Sequence, residues 1–268
     1  WGPNIEALSG LSTFSGFPAR ECTATQYAYP DAVSALHGLF AVLCALDYRT
    51  RTGSGQYINL SQFEATAGIA GHVLMEYLGN GREPQRLGNG SHHAAPHGCY
   101  RCLGEDRWCA IAVVSESEWE RFCTVLGEPT WTTDPRFATR RARLAHAEEL
   151  DRLVQAWTSQ RDAYEVMAVL QAAGIAAGVV QNIEDQLRSD RQLAAREFFE
   201  NVEHHRKGRV LANGIPLGLT GTPGRTGWAG AAVGKDNDYV FGELLGMTPP
   251  EIQHYLGLGA IEAKEGSS

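Results

Sequence analysis

From Asp31 to about Tyr48 the chain runs DAVSALHGLFAVLCALDY, and its apolar residues cover nearly the whole circumference of a helix. A helix without a polar face must be enclosed, so the segment predicts a core helix. A chain of 268 residues can surround it, as one large domain or as two smaller ones. Asp31 stands at the head of this helix, directly after Pro30. A carboxylate there has two readings. It caps the helix, worth about 1 kcal/mol, or it does chemistry. A positioned, dehydrated carboxylate is a competent covalent nucleophile. A helix N-terminus also offers backbone N–H groups and a positive dipole end to a developing oxyanion. His37 does not fit as a partner for Asp31, because six residues turn a helix through about 240°.

Composition excludes several classes. A hydrophobic fraction of 43% and a charged fraction of 20% fit an ordinary soluble protein. The net charge of −8 argues against nucleic acid or an anionic membrane as the main partner, while leaving room for a local basic patch. There is no run of 18 apolar residues and no basic-then-apolar leader, so the expectation is a soluble, cytoplasmic protein with no membrane partner. Six cysteines do not suggest a disulfide framework. Cys99 and Cys102 form a CxxC near His92, His93 and His97. The segment reads as a hairpin around GED, where residues three apart point to opposite faces, and no second CxxC follows. The expectation is reduced thiols and no metal.

Along the chain, NIEALSGLSTFSG starts in mid-pattern, and Trp1 reads as an interior residue of a larger fold. RTGSGQYINLSQFEATAGIAGHVLMEYL predicts a turn, a short strand and a further apolar helix. Residues 79 to 98 lack periodicity and form a long loop rich in Gly, Pro, Asn and His. Beyond it the pattern predicts a hairpin over 98–114, a helix near 115–126, and helices in HAEELDRLVQAWTSQ and RDAYEVMAVLQAAG, the second stopping at Gly174. A buried strand in IAAGVVQN, one helix in IEDQLRSDRQLAAREFF, a β-like VEHHRKGRVLANGIPLGL, an irregular stretch and a last helix pair complete the chain.

The succession ALSGL, YPDAVSALHGLFAVLCAL, RTGSGQYINLSQFEA, GNGSHHAAPHGCYRC and GVVQNIEDQLRSDRQLAAREFF resembles the class III CoA-transferase family, of the carnitine dehydratase and bile-acid-inducible type. HHRKGRVLANGIPLGLTGTPG and LLGMTPPEIQHYLGLGAI continue the likeness to the end of the chain. It covers the later part of the family's pattern, without the N-terminal nucleotide-fold segment. The resemblance implies an α/β fold. Residues 1–78 would be part of a large domain, 79–94 a linker or lid, 95–200 an inserted small α/β domain, and 201–268 a return to the large domain. It also implies interlocked homodimers, or pairing with an N-terminal segment.

The family's nucleophile corresponds to Asp31. The implied reaction transfers CoA from an acyl-CoA to a carboxylic acid through an aspartyl anhydride and an aspartyl-CoA thioester. CoA and acyl-CoA are then substrates, and no permanently bound cofactor is implied. The loop Gly88, Asn89, Gly90, Ser91, His92 and His93 corresponds to a glycine-rich active-site lid, and its glycines suit a moving backbone. Gln26 and Tyr29 flank Asp31 as pocket-lining candidates. An α-methylacyl-CoA racemase would share the fold, but its pattern has a histidine where Trp1 stands here. A CoA-dependent lyase of the same fold and a non-catalytic fragment or subunit are also compatible with the resemblance. Arg20, Arg49 and Arg51 are the basic residues closest to Asp31 along the chain, and the resemblance puts the grip on the CoA nucleotide before residue 1. The expectation is that this chain alone is inactive and binds CoA weakly.

Overall fold

A computed structural model describes residues 1–25 and 27–263. The chain divides into two compact units, Trp1–Val180 and Gln181–Ser268. The first opens with helices α1 (Gly2–Leu8), α2 (Leu11–Phe14), α3 (Tyr29–Thr52), α4 (Gln62–Ile69) and α5 (Gly71–Asn80). Gly53 closes α3 in the left-handed conformation at φ +78°, its N–H donating to the Arg49 carbonyl. Ser61 starts α4 by accepting from the Glu64 N–H at 3.2 Å.

The predicted core helix forms, but within this chain it is not enclosed. Pro30 is its buried residue, while Leu36, Leu39, Phe40 and Leu43 are exposed, Phe40 at 71%. Among the described residues α1 and α4 pack most closely along it, and they leave much of its apolar circumference uncovered. Trp1, read as interior, is 97% exposed. By length and composition α3 is also the one described helix able to cross a membrane, a test that core helices pass too. The strand expected before α4 is absent. Residues 57–60 are extended, but no strand lies beside them among the described residues to accept their hydrogen bonds. The single helix expected after it is two, broken at Ala70 (φ −85°, ψ 13°).

The second part of this unit builds its own core. Strands β1 (His97–Arg101) and β2 (Trp108–Ala112) form the expected hairpin. Helices α6 (Glu116–Leu126), α7 (Arg140–Ala145), α8 (Ala147–Thr158) and α9 (Ala163–Ala172) follow, and β3 (Ala176–Val179) returns antiparallel to β2. A reciprocal Ser115–Glu118 capping box starts α6, and Gly174 (φ +71°) follows the end of α9. Cys109 and Ile111 alternate inward along β2 and pack with Phe122, Phe137, Leu150, Val154 and Leu170. Burial pushes the Cys109 thiol up to about 12 and raises Cys99 and Cys102. Among the described residues no three His, Cys, Asp or Glu side chains converge on a metal position.

Arg143 is fully buried in this core. It donates to the Ala95 carbonyl (3.0 Å), the Phe137 carbonyl (3.1 Å) and Glu116 Oε2 (2.8 Å), and its guanidinium lies 4.5 Å over the Trp119 ring. It therefore ties the end of the long loop to the helices of the core.

The second unit holds α10 (Ile183–Arg188), α11 (Arg191–Ala195), the antiparallel pair β4 (Phe199–His204) and β5 (Gly208–Asn213), a π-helical segment over 238–244, and α12 (Pro249–Gly257). The one helix expected over IEDQLRSDRQLAAREFF is α10 and α11. Asp190 interrupts it, capping α11 through the Leu193 N–H (2.7 Å) while its other oxygen accepts from Gln181 (3.0 Å).

Candidate active site

Asp31 is the third residue of α3, and the N-cap is Ala28, which offers no side chain to cap with. The carboxylate therefore does not cap its own helix. It is exposed, and its Oδ1 accepts a hydrogen bond from the amide of Gln62, the first residue of α4. The Ser61 cap sets where α4 begins, so a local signal positions Gln62. Gln62 is the site residue that sequence reasoning misses. The Ser61–Glu64 start signal beside it says nothing about a partner 31 residues away.

The backbone N–H groups of Tyr29 and Asp31 at this helix end are already taken up. The Tyr29 N–H donates to the Tyr27 carbonyl (2.7 Å), the Asp31 N–H to the Ala28 carbonyl (3.1 Å), and Pro30 has none. What remains at this helix end is the dipole and the Gln62 amide. Tyr29 is 45% exposed with its ring edge-on to Tyr27. Gln26 lies outside the described residues. His37 hydrogen-bonds the Val33 carbonyl of its own helix.

The run-up to Asp31 is anchored from α1. Glu6, 1% exposed, accepts from both the N–H and the hydroxyl of Thr25. The Thr25 hydroxyl lies 3.1 Å from the Tyr27 carbonyl, which also receives the Tyr29 N–H. A buried carboxylate thus fixes the turn that leads into α3.

The structure splits the loop Gly88–His93 between two cavities. Gly88, Asn89 and Gly90 roof a cavity of about 520 Å³. Its floor is the sheet face turned from the core, where His97, Cys99, Ala110, Ala112, Ala176 and Gly178 lie in register. Small side chains make this floor, leaving room for a ligand. His97 Nδ1 lies 2.7 Å from the Asn89 carbonyl, and a carbonyl only accepts, so the imidazole donates and holds the roof. Beside it, Tyr100 donates to Asp151 at 2.6 Å, and burial raises both groups above their ordinary values. His92 and His93 instead face a second cavity of about 370 Å³ with Arg140 and Arg141. Ser91 accepts from the His93 N–H at 3.0 Å. Asp31 lines neither cavity.

Gly88 sits at φ +59°, donates its N–H to the Gly16 carbonyl, and would place an added Cβ 2.5 Å from Phe17 Cδ1. A Gly88→Val variant is therefore expected to displace the roof. Amide exchange of the 88–90 backbone should rise about tenfold or more, a local loss of about 1.4 kcal/mol. Unchanged protection would show that the left-handed geometry does not hold this loop.

The fold has counterparts among solved structures. A CAIB/BAIF family protein from Brucella suis superposes with a TM-score of 0.79 at 26% identity, covering 90% of this chain and 61% of that one. A Mycobacterium tuberculosis structure at 19% identity and a TM-score of 0.70 shares the fold. Residues 1–237 match the description of CoA-transferase family III, and the chain belongs to that family.

Two curated relatives carry the same likeness in sequence. Succinyl-CoA–D-citramalate CoA-transferase of Chloroflexus aurantiacus is 30% identical over 247 residues, which is 92% of this chain and 61% of that protein. A probable CoA-transferase of M. tuberculosis is 32% identical over 267 residues, 96% of this chain and 33% of that protein. The chain thus spans less than two thirds of either relative.

Proposed function

We propose that this chain forms part of an enzyme that moves CoA from an acyl-CoA to a carboxylic acid, with Asp31 as the covalent carrier. The observation that carries this reading is an exposed carboxylate at the head of α3, oriented by the neutral amide of Gln62, in a chain of CoA-transferase family III. A neutral donor orients one oxygen without cancelling the charge, which leaves the other free to attack.

An Asp31 oxygen attacks the thioester carbonyl, the C–S bond breaks, and CoA thiolate leaves an aspartyl anhydride. Thiolate then attacks the aspartyl carbonyl, releasing the first acid and leaving aspartyl-CoA thioester. The acceptor carboxylate displaces CoA to form a second anhydride. Return of the thiolate to the acceptor's acyl carbon gives the product and restores the Asp31 carboxylate. The Gln62 amide is the side-chain donor available to the charged oxygens of these steps.

The Gly88–Gly90 roof is the lid in this reading, supported by the His97 tether and the small-residue floor beneath it. The domain reading of 1–78, 79–94, 95–200 and 201–268 belongs to the same proposal; the separate core around Phe122 and Leu150, whose members run from Ala95 to Val179, supports its small domain. The interlocked homodimer, or pairing with an N-terminal segment, has its support in the uncovered apolar circumference of α3. Acyl-CoA and a carboxylic acid are its small-molecule partners, a cytoplasmic setting belongs to the same proposal, and the acidic charge argues against nucleic acid or an anionic membrane as the main partner.

Trapping tests the assignment. Full-length protein incubated with acyl-CoA donors and then hydroxylamine or borohydride should carry one modified carboxylate, Asp31, by peptide mass. Modification elsewhere, or none across a panel of donors that supports turnover, would reject the carrier role.

A further inference from the structure

We propose that the cleft between His92, His93 and the first turn of α7 is a binding site for a small polyanion bearing phosphate or carboxylate groups. The cleft, of about 370 Å³, is lined by His92, His93, Glu116, Thr139, Arg140, Arg141 and Leu144. This concentration of basic groups stands in a chain whose net charge is −8.

The one acid in the lining is already occupied. Glu116 Oε1 accepts the Arg140 backbone N–H at 2.7 Å, and Oε2 accepts from the buried Arg143 at 2.8 Å. These contacts, the Arg140 N–H first, hold its carboxyl below the usual carboxylate range. Glu116 and Arg143 together add no net charge, which leaves the guanidinium groups of Arg140 and Arg141 uncompensated. The Arg140 guanidinium has a single long hydrogen bond, 3.3 Å to the Val114 carbonyl, and the Arg141 guanidinium forms no ion pair or hydrogen bond among the described residues.

Guanidinium stays charged at all working pH values, and its planar fork matches two oxygens of a phosphate or carboxylate. His92 and His93, their ring centroids 6.4 Å apart, supply further ring nitrogens to the same lining. The acidic net charge and the size of the cleft favour a small ligand over a nucleic acid. The two walls come from different elements, the loop and α7. A bound anion therefore joins them, and restrains the loop whose other half roofs the neighbouring cavity. The site is independent of the Asp31 reading.

Calorimetric titration of the purified full-length protein at low ionic strength, with inorganic phosphate and separately with succinate, tests the site. Saturable binding of at least one probe is expected. The Arg140→Gln/Arg141→Gln double variant should weaken it about tenfold or more, with an unchanged thermal melt. The Arg141→Gln single variant, which disturbs no contact, should show a smaller loss. Binding of phosphate alone identifies a phosphoryl site, succinate alone a carboxylate site, and both a general polyanion site. No saturable binding of either, or affinity unchanged in the double variant, overturns the proposal.

Discussion

On the proposed function, Asp31→Asn in the full-length protein is expected to lower CoA transfer by about 10⁴-fold or more, the scale on which loss of a covalent nucleophile is felt. The loss should fall on turnover and leave folding intact. Asp31 is exposed, does not cap its helix, and has the Gln62 amide as its side-chain partner. Asn keeps an acceptor for that amide while removing the charge and the nucleophilic oxygen. Gln62→Leu is expected to cost less, about 10²-fold, because it removes one donor and leaves the carboxylate. Steady-state transfer rates, set beside circular-dichroism melts of the same preparations, decide the matter. Wild-type turnover in Asp31→Asn would remove Asp31 from the chemistry, and equal losses in both variants would make Gln62 more than an orienting group.

Arg143→Ala is expected to destabilise the Trp1–Val180 unit by about 3–5 kcal/mol, the cost of breaking a buried, hydrogen-bonded charged group. Its side chain is 0% exposed, and three acceptors plus the Trp119 face converge on it. Truncation leaves the Ala95 and Phe137 carbonyls without this donor and opens a void against Trp119. Arg143→Met should cost less, since it refills the space with apolar volume but leaves the carbonyls unpaired. Because Ala95 ends the long loop, amide exchange through 88–95 should rise with the instability. Urea unfolding of the two variants measures the difference, and a loss under about 1 kcal/mol for Ala would show that the network carries little of the stability.

Elements whose signals are local are legible in the residues alone. Ser115 and Glu118 start α6, Gly174 follows the end of α9, and the hairpin flanks GED, because caps and turns are satisfied within a few residues. Asp31 stands out as a carboxylate in front of an apolar run, which leaves cap and nucleophile both open, and motif order makes visible the family resemblance that proposes it as the nucleophile. Periodicity alone is a weaker guide. Over IEDQLRSDRQLAAREFF it presents one helix, and the Asp190 cap makes two.

Whatever joins distant segments was fixed by packing in three dimensions. Packing made Gln62 the partner of Asp31 and set the turn whose carbonyls take up the first N–H groups of α3. It also buried Arg143 and sent Gly88–Gly90 and His92–His93 of one loop into different cavities. The exposure of α3 belongs here too. An apolar helix states that it must be covered, but the surface that covers it is set by packing between segments far apart in the chain, which periodicity does not encode.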